Sequence, residues 1–193
     1  MASAKLVNST AVIGLLAALM VFAGGAALAR PLEGKKAIYL VTAAGQEMML
    51  GTVTFTPKGG HSEYVLALED APFTDHFLSM RPFKCIEGAD ETVCHLPYPY
   101  KLRRQVAGDD LTDLEHELLF LHKGAGEYGI NFWNGIYYDL AVTEDGSIKG
   151  SQKAIDMNML ASPPAQDYVR LISKDDLVEV DGANRRFPTL VIR

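Results

Sequence analysis

The sequence lacks most of the residue patterns that mark catalytic and nucleic-acid-binding proteins. It holds two cysteines and one tryptophan, and its 18 Lys and Arg residues are outnumbered by 24 Asp and Glu. The formal net charge of −6 argues against a nucleic-acid partner, because such a partner requires a basic face. Phosphate-binding and dinucleotide glycine loops, a Gly-x-Ser-x-Gly elbow and a His-Glu-x-x-His motif are all absent. The sequence therefore predicts no cofactor and favours binding over catalysis, although it leaves enzyme activity open.

No apolar run is long enough to predict a membrane span. The run from Ala11 to Ala23 covers 13 residues, whereas a bilayer-spanning helix needs about 20. Lys5 precedes it and Ala27-Leu28-Ala29 follows it, which is the pattern that signal peptidase cleaves. We therefore expect residues 1–29 to be a signal peptide and residues 30–193 to be one soluble β-rich domain without stable membrane insertion. The alternative is an uncleaved anchor.

The two cysteines of an exported chain predict one structural disulfide. Cys85 and Cys94 flank the turn-prone Gly88-Ala89-Asp90, and joining them would stabilise the fold by about 2.5–3 kcal/mol on the chain-entropy estimate. A redox pair is disfavoured because the spacing is not Cys-x-x-Cys. The dipeptide Cys94-His95 likewise lacks the spacing of a haem-attachment motif. A disulfide and an export signal together predict a secreted protein, most simply in the periplasm of a Gram-negative bacterium.

From Lys35 onward, apolar side chains recur with period two between closely spaced turn residues. This pattern predicts about eight or nine short strands. They include 37–42, 63–68, 77–84, 92–96, 168–172, 177–180 and 189–192. Between them, residues 109–122 fit either a helix or a strand. Because both neighbours are β, we favour one helical turn at 110–115 and a strand at 117–122.

Asn134-Gly135 predicts a two-residue type I′ hairpin turn, because both residues accept positive φ. The turn would join strands at 129–133 and 136–142, pairing Trp133 with Ile136 and Asn131 with Tyr138. Trp133 and Tyr138 would then face the core, and Asn131 would be a polar group among aromatic side chains.

The turn Glu144-Asp145-Gly146 predicts a second hairpin. A three-residue loop with Gly146 in the left-handed region sets Val142 against Ile148, which hydrophobic matching prefers. Successive hairpins and almost no helix predict a mainly β, single antiparallel β-barrel or β-sandwich domain with at most one short helix. An up-and-down barrel is favoured, since closure removes exposed edges.

The segments 80–85 and 94–100, with 110–115 and 132–135, resemble uncharacterised exported proteins of proteobacteria. The resemblance covers most of the mature chain and implies a Gram-negative periplasm. Such proteins have no established activity or catalytic residues, so the resemblance implies no site.

Two groups of polar residues are considered as binding sites, the first for a metal ion and the second for an anion. His116, Glu117 and His122 follow an acidic run, but the two histidines are too far apart on a strand and poorly spaced on a helix, so no metal site is predicted. A basic group could bind an anion or be neutralised by the acidic residues that follow it. The basic group is Arg81, Lys84, His95, Lys101, Arg103 and Arg104. The acidic residues are Asp109, Asp110, Asp113 and Glu115.

Aromatic residues concentrate between 98 and 138, where they could line a cavity or fill the core. They are Tyr98, Tyr100, Tyr128, Phe132, Trp133, Tyr137 and Tyr138. The candidate ligand-binding residues are Asn131, Trp133, Tyr138, Arg81 and His95. We expect non-catalytic binding of a small amphipathic molecule or, through the 98–104 surface, an envelope protein. The alternatives are a small periplasmic hydrolase or isomerase without a linear motif and a structural or chaperone-like envelope component.

Overall fold

Strands with alternating apolar and polar side chains form one antiparallel sheet. The structure is a computed structural model that describes Met1, residues 31–77 and residues 82–193. Apart from Met1, the predicted signal peptide lies outside the described residues, and so does Arg81. Among the described residues, no helix combines the length and the apolar character that crossing a bilayer requires.

The described residues form twelve strands and one α-helix, with three short 3-10 helices between them. The strands are β1 Gly34–Val41, β2 Glu47–Lys58, β3 His61–Leu68, β4 Thr74–Phe77, β5 Pro82–Ile86, β6 Glu91–His95, β7 Gln105–Val106, β8 Phe120–Gly124, β9 Gly135–Val142, β10 Ile148–Ile155, β11 Val178–Glu179 and β12 Thr189–Ile192. The α-helix is α1 Thr112–Glu117, and the 3-10 helices are Met157–Leu160, Lys174–Asp176 and Gly182–Asn184.

Strands that are consecutive in the chain mostly lie side by side. The order across the sheet is β4-β5-β6-β8-β9-β10-β12-β1-β2-β3-β7, and β11 pairs with β10 outside this path. Within the described residues, the end strands β4 and β7 do not pair with each other. The predicted mainly β, antiparallel class with one short helix is confirmed. The strand count exceeds the predicted eight or nine, and the pairing path is open, so closure into a barrel is not shown.

Several local predictions are confirmed. Val142 lies opposite Ile148, and Gly146 has φ of 79°, as the three-residue loop requires. The ambiguous segment 109–122 forms α1 followed by β8, which is the favoured order of a helical turn and then a strand.

The predicted Asn134-Gly135 hairpin is wrong. β9 begins at Gly135 and lies between β8 and β10. Ile136 is opposite Phe120, and Tyr138 is opposite Gln152, so neither pairs across a two-residue turn.

Local hydrogen bonds explain the failure. The Asn131 side-chain oxygen accepts a hydrogen bond from the Trp133 amide at 3.0 Å, and the Asn134 amide donates to the Asn131 carbonyl at 3.1 Å. Residues 131–134 therefore form their own turn. Gly135 serves a different purpose, since a Cβ there would lie 2.4 Å from the Ile155 carbonyl oxygen. This position needs glycine for the close approach of two strands.

Two other predicted strands also differ from the structure. Phe77 lies opposite Pro82, so the predicted strand 77–84 is divided between the antiparallel strands β4 and β5. Segment 168–172 contains no strand. Its first residue, Tyr168, has φ of 64°, which is incompatible with extended backbone.

Buried apolar side chains form two clusters on opposite faces of the sheet. The interior cluster draws on both halves of the sheet and on α1 and includes Leu40, Val53, Tyr64, Val93, Leu114, Phe120, Tyr138 and Leu190. The outer cluster lies on β5, β6, β8, β9 and the end of β10, with Leu119 just before β8. It includes Phe83, Cys85, Cys94, Leu119, Leu121, Tyr137 and Ile155. Three residues of the segment 157–177, Met157, Leu160 and Ile172, complete it. We call residues 157–177 the covering segment.

The predicted disulfide is confirmed. Cys85 on β5 lies directly opposite Cys94 on β6, and the two sulfurs are bonded. Both residues are fully buried in the outer cluster. The bond therefore ties two strands beneath the covering segment.

Candidate functional site

An apolar groove lies where the end of β6 meets the covering segment. Its volume is about 360 Å³, within the range of small-molecule sites. Its lining residues are almost all apolar and none is charged. They are Leu96, Pro97, Pro99, Phe132, Met157, Asn158, Leu160 and Ala161. The groove can therefore accept hydrocarbon or an aromatic ring without displacing charge.

Exposed aromatic side chains lie on the connection 125–134 between β8 and β9, which reaches this groove at Phe132. Trp133 is 68% exposed, Phe132 is 37% exposed and Tyr128 is fully exposed. Phe132 also lines the apolar groove. Neighbouring exposed aromatic residues are an informative surface feature because folding normally removes such area from water. We call residues 125–134 the aromatic loop.

A second groove, of about 420 Å³, has a polar lining. We call it the polar groove. It is lined by Pro97, Tyr98, Tyr100, Lys101, Leu102, Arg104, Glu117 and Tyr168. Pro97 lines both grooves, so the two adjoin at that residue.

The charged residues that line the polar groove form ion pairs. Arg104 Nε donates to Glu117 Oε1 at 2.8 Å, and Lys101 Nζ donates to Asp167 at 2.6 Å. Glu117 is only 9% exposed, and its Oε2 has no hydrogen-bond partner in the described structure. The pKa of the neighbouring Tyr64 hydroxyl is raised by burial and further by the Glu117 carboxylate.

Two residues that line the polar groove, Arg104 and Tyr168, have unusual backbone conformations. Among described residues other than glycine, only Arg104 and Tyr168 have positive φ, at 57° and 64°. The Arg103 guanidinium lies 4.9 Å from the centre of the Tyr168 ring, a cation–π distance. Arg103 makes no ion pair with any described residue. Unusual backbone geometry of this kind occurs often at binding sites.

The acidic residues of α1 are held by the covering segment. Asp113 and Glu115 are almost fully buried. Arg170 binds Asp113 at 2.7 Å and Asp110 at 2.8 Å. Lys174 binds Glu115 at 2.5 Å. The expected neutralisation of these acids by Lys101, Arg103 and Arg104 is therefore wrong, because residues far later in the chain provide the cations.

Hydrogen bonds to Glu115 link these charges to the sheet. The Tyr137 hydroxyl donates to Glu115 at 2.5 Å, and the Leu140 amide donates to it at 2.8 Å. Burial lowers the pKa of Lys174, but its bonds to Asp139 and Glu115 outweigh this effect and raise it overall. This network explains how a short helix can bury its carboxylates.

His116 occupies the core between two tyrosines. Its ring centre lies 4.7 Å from that of Tyr98 and 6.1 Å from that of Tyr137. Nδ1 donates to the Thr112 carbonyl at 2.7 Å, whereas Nε2 has no partner in the described structure. Burial lowers the pKa of His116 to about 4. His116 is therefore a neutral packing residue near pH 7.

The predicted ligand-binding residues do not meet at one place. Trp133 lies on the exposed aromatic loop, and Asn131 forms the turn within it. Tyr138 is completely buried in the interior cluster, where its hydroxyl donates to the Phe187 carbonyl at 2.9 Å. His95 is half-buried on β6 and hydrogen-bonds the Glu117 carbonyl at 2.8 Å, and burial lowers its pKa. Arg81 lies outside the described residues.

The structure separates the histidines considered as metal ligands. His116 lies in α1, and His122 lies in β8, where Arg185 Nη1 is 3.0 Å from His122 Nε2. No group of three or more His, Cys, Asp or Glu residues is arranged to hold a metal within residues 31–77 and 82–193.

Sequence reasoning missed the two sides of the apolar groove. Pro97 and Pro99 lie just beyond the predicted strand 92–96, and Met157 and Leu160 lie outside every predicted strand. A weak signal was available in the apolar residues of 157–160, which are too few to form an element but must be buried somewhere.

Comparison with protein-family models, curated proteins and solved structures finds no match to this chain.

Proposed function

We propose that this protein is a non-catalytic binding protein for a small amphipathic molecule, whose apolar part occupies the apolar groove beside Trp133. The observation that carries this proposal is the exposed aromatic loop next to an uncharged groove of about 360 Å³. A ligand that fills the groove and covers Phe132 and Trp133 would remove aromatic surface from water, which stabilises a complex by about 25 cal/mol for each Å².

The groove volume supports a small ligand over a protein partner. Small-molecule sites enclose about 300–1,000 Å³, and the apolar groove, at about 360 Å³, lies at the lower end of that range. The carboxylates of α1 engage Arg170, Lys174 or Arg104 and support the fold. They therefore have a structural role that needs no reaction to explain it.

We further propose that the protein is exported and acts in the periplasm. The buried Cys85–Cys94 disulfide supports this location, because such bonds persist in oxidising compartments. We also propose that the sheet curls into an incompletely closed barrel. In support, Tyr64 of β3 and Val93 of β6, from distant parts of the strand order, share the interior cluster.

Fluorescence of the single tryptophan tests the binding proposal. Titration of the mature protein with N-phenyl-1-naphthylamine, an uncharged apolar probe, should quench Trp133 emission saturably. Phe132→Asp places a charge on the groove wall and should weaken binding by about tenfold or more, since a buried unpaired charge is costly.

The matched control is Tyr128→Asp, on the same loop but outside the groove lining. It should leave the dissociation constant within about twofold of the unmodified protein. Unsaturable quenching, or equal affinity of the Phe132→Asp and Tyr128→Asp variants, would refute the apolar groove as the binding site.

A further inference from the structure

The short segment Pro97–Tyr100 lies between the apolar and polar grooves. Pro97 and Pro99 line the apolar groove, whereas Pro97, Tyr98 and Tyr100 line the polar groove. The segment is held in place because the Tyr98 amide donates to the His116 carbonyl at 3.0 Å. Since Pro97 lines both grooves, a ligand that fills the apolar groove can extend past this residue into the polar groove.

The charged side chains of the polar groove are already paired. Lys101 engages Asp167, and Arg104 engages Glu117. A charged head group would lose its hydration and would find no unpaired countercharge among these four residues. The charges at this groove therefore balance one another, and they offer neither an anion nor a cation an unpaired partner.

The same groove retains capacity for neutral hydrogen bonds. The Lys101 ammonium and the Arg104 guanidinium each carry more N–H groups than their single named bonds use. A hydroxyl oxygen accepts hydrogen bonds, so a hydroxyl-bearing head group can use these donors. The Tyr168 ring, which is 47% exposed, adds an aromatic surface for C–H groups.

We propose that the ligand carries an uncharged, hydroxyl-rich head group, such as a sugar or another polyol, and that the polar groove binds this head group. This inference rests on the proposed function, because it assigns the apolar end of the same ligand to the apolar groove. It identifies the ligand class as neutral glycoside-like amphiphiles and excludes fatty acids, alkyl phosphates and alkylamines.

Amphiphiles with one chain and different head groups test this inference. Octyl β-D-glucopyranoside, sodium octyl sulfate and octyltrimethylammonium bromide are titrated below their critical micelle concentrations, with Trp133 emission and calorimetry as readouts. The glucoside should bind at least tenfold more tightly than either ion.

Asp167→Asn tests the role of paired charge, since it leaves Lys101 unpaired at an exposed position. Octyl sulfate should then bind at least threefold more tightly, whereas glucoside affinity should stay within twofold. Glu179→Gln is the matched control because it likewise removes the partner of a lysine, Lys153, and neither residue lines the polar groove. Both affinities should remain unchanged in that variant.

The possible failures are distinguishable. Equal affinity for all three head groups, or tighter binding of either ion, overturns the neutral-head inference while leaving the apolar groove intact. An Asp167→Asn variant that binds octyl sulfate no better than the unmodified protein also overturns it. Absence of saturable binding by any octyl compound overturns both this inference and the proposed function.

Discussion

The buried imidazole of His116 predicts a specific loss of stability in mild acid. Burial lowers its pKa from 6.5 to about 4 in the folded protein. Between these values the unfolded chain binds a proton that the folded protein excludes, so the free energy of unfolding falls as the pH falls. From pH 7 to pH 5 this single group should reduce that free energy by about 2 kcal/mol, and the full effect below pH 4 is about 3 kcal/mol.

Urea unfolding at pH 7 and pH 5 measures this effect when the unmodified protein is compared with His116→Phe. Phenylalanine fits the aromatic contacts with Tyr98 and Tyr137 but does not titrate. The stability difference between the two pH values should therefore shrink by about 2 kcal/mol in the variant.

A matched control separates titration from packing. Leu114→Val removes one buried methylene from the same helix and should destabilise the protein by about 1 kcal/mol at both pH values. If His116→Phe leaves the stability difference between pH 7 and pH 5 unchanged, the reasoning about the buried imidazole is refuted.

Three further predictions concern stability. Replacing Cys85 and Cys94 together by alanine should lower the free energy of unfolding by about 2.5–3 kcal/mol in urea titrations, and no change would contradict the entropic role of the crosslink. Gly135→Ala should cost about 1–3 kcal/mol through contact with the neighbouring strand, whereas Gly126→Ala, with nothing within 4 Å of its Cβ, should not; equal thermal midpoints for the two variants would show that the close approach is unimportant. Arg170→Gln should cost about 2–3 kcal/mol because it leaves buried carboxylate without its cation, and a cost below 1 kcal/mol, typical of an exposed pair, would disprove that role.

The local sequence pattern predicts the structure correctly where neighbouring residues alone determine the backbone conformation. Gly146 occupies the left-handed position that its three-residue loop requires, and hydrophobic matching across that loop gives the correct partner for Val142. The cysteine spacing likewise predicts the correct bond, since only two cysteines are present. These features depend on interactions within about ten residues.

The local sequence pattern predicts the wrong strand pairing where a distant segment pairs with a strand in place of the nearest segment in the sequence. Asn134-Gly135 is a strong hairpin signal, yet β9 pairs with β8 and β10, and Gly135 is needed for its approach to Ile155. The predicted aromatic site fails for the same reason. Tyr138 faces the interior as predicted, whereas Trp133, which was also predicted to face the core, is 68% exposed because its segment forms a loop and not a strand.

Period-two hydrophobicity, turn residues and cysteine spacing are local properties, and they suffice to predict a mainly β, antiparallel chain with one short helix and one disulfide. The location of the candidate site depends instead on contacts between distant parts of the chain. The covering segment has little regular structure of its own, and its position over β5, β6, β8 and β9 depends on Arg170 and Lys174 meeting the acids of α1 about 60 residues earlier in the chain. The apolar groove forms between elements that are brought together in this way, and no local pattern specifies such a meeting.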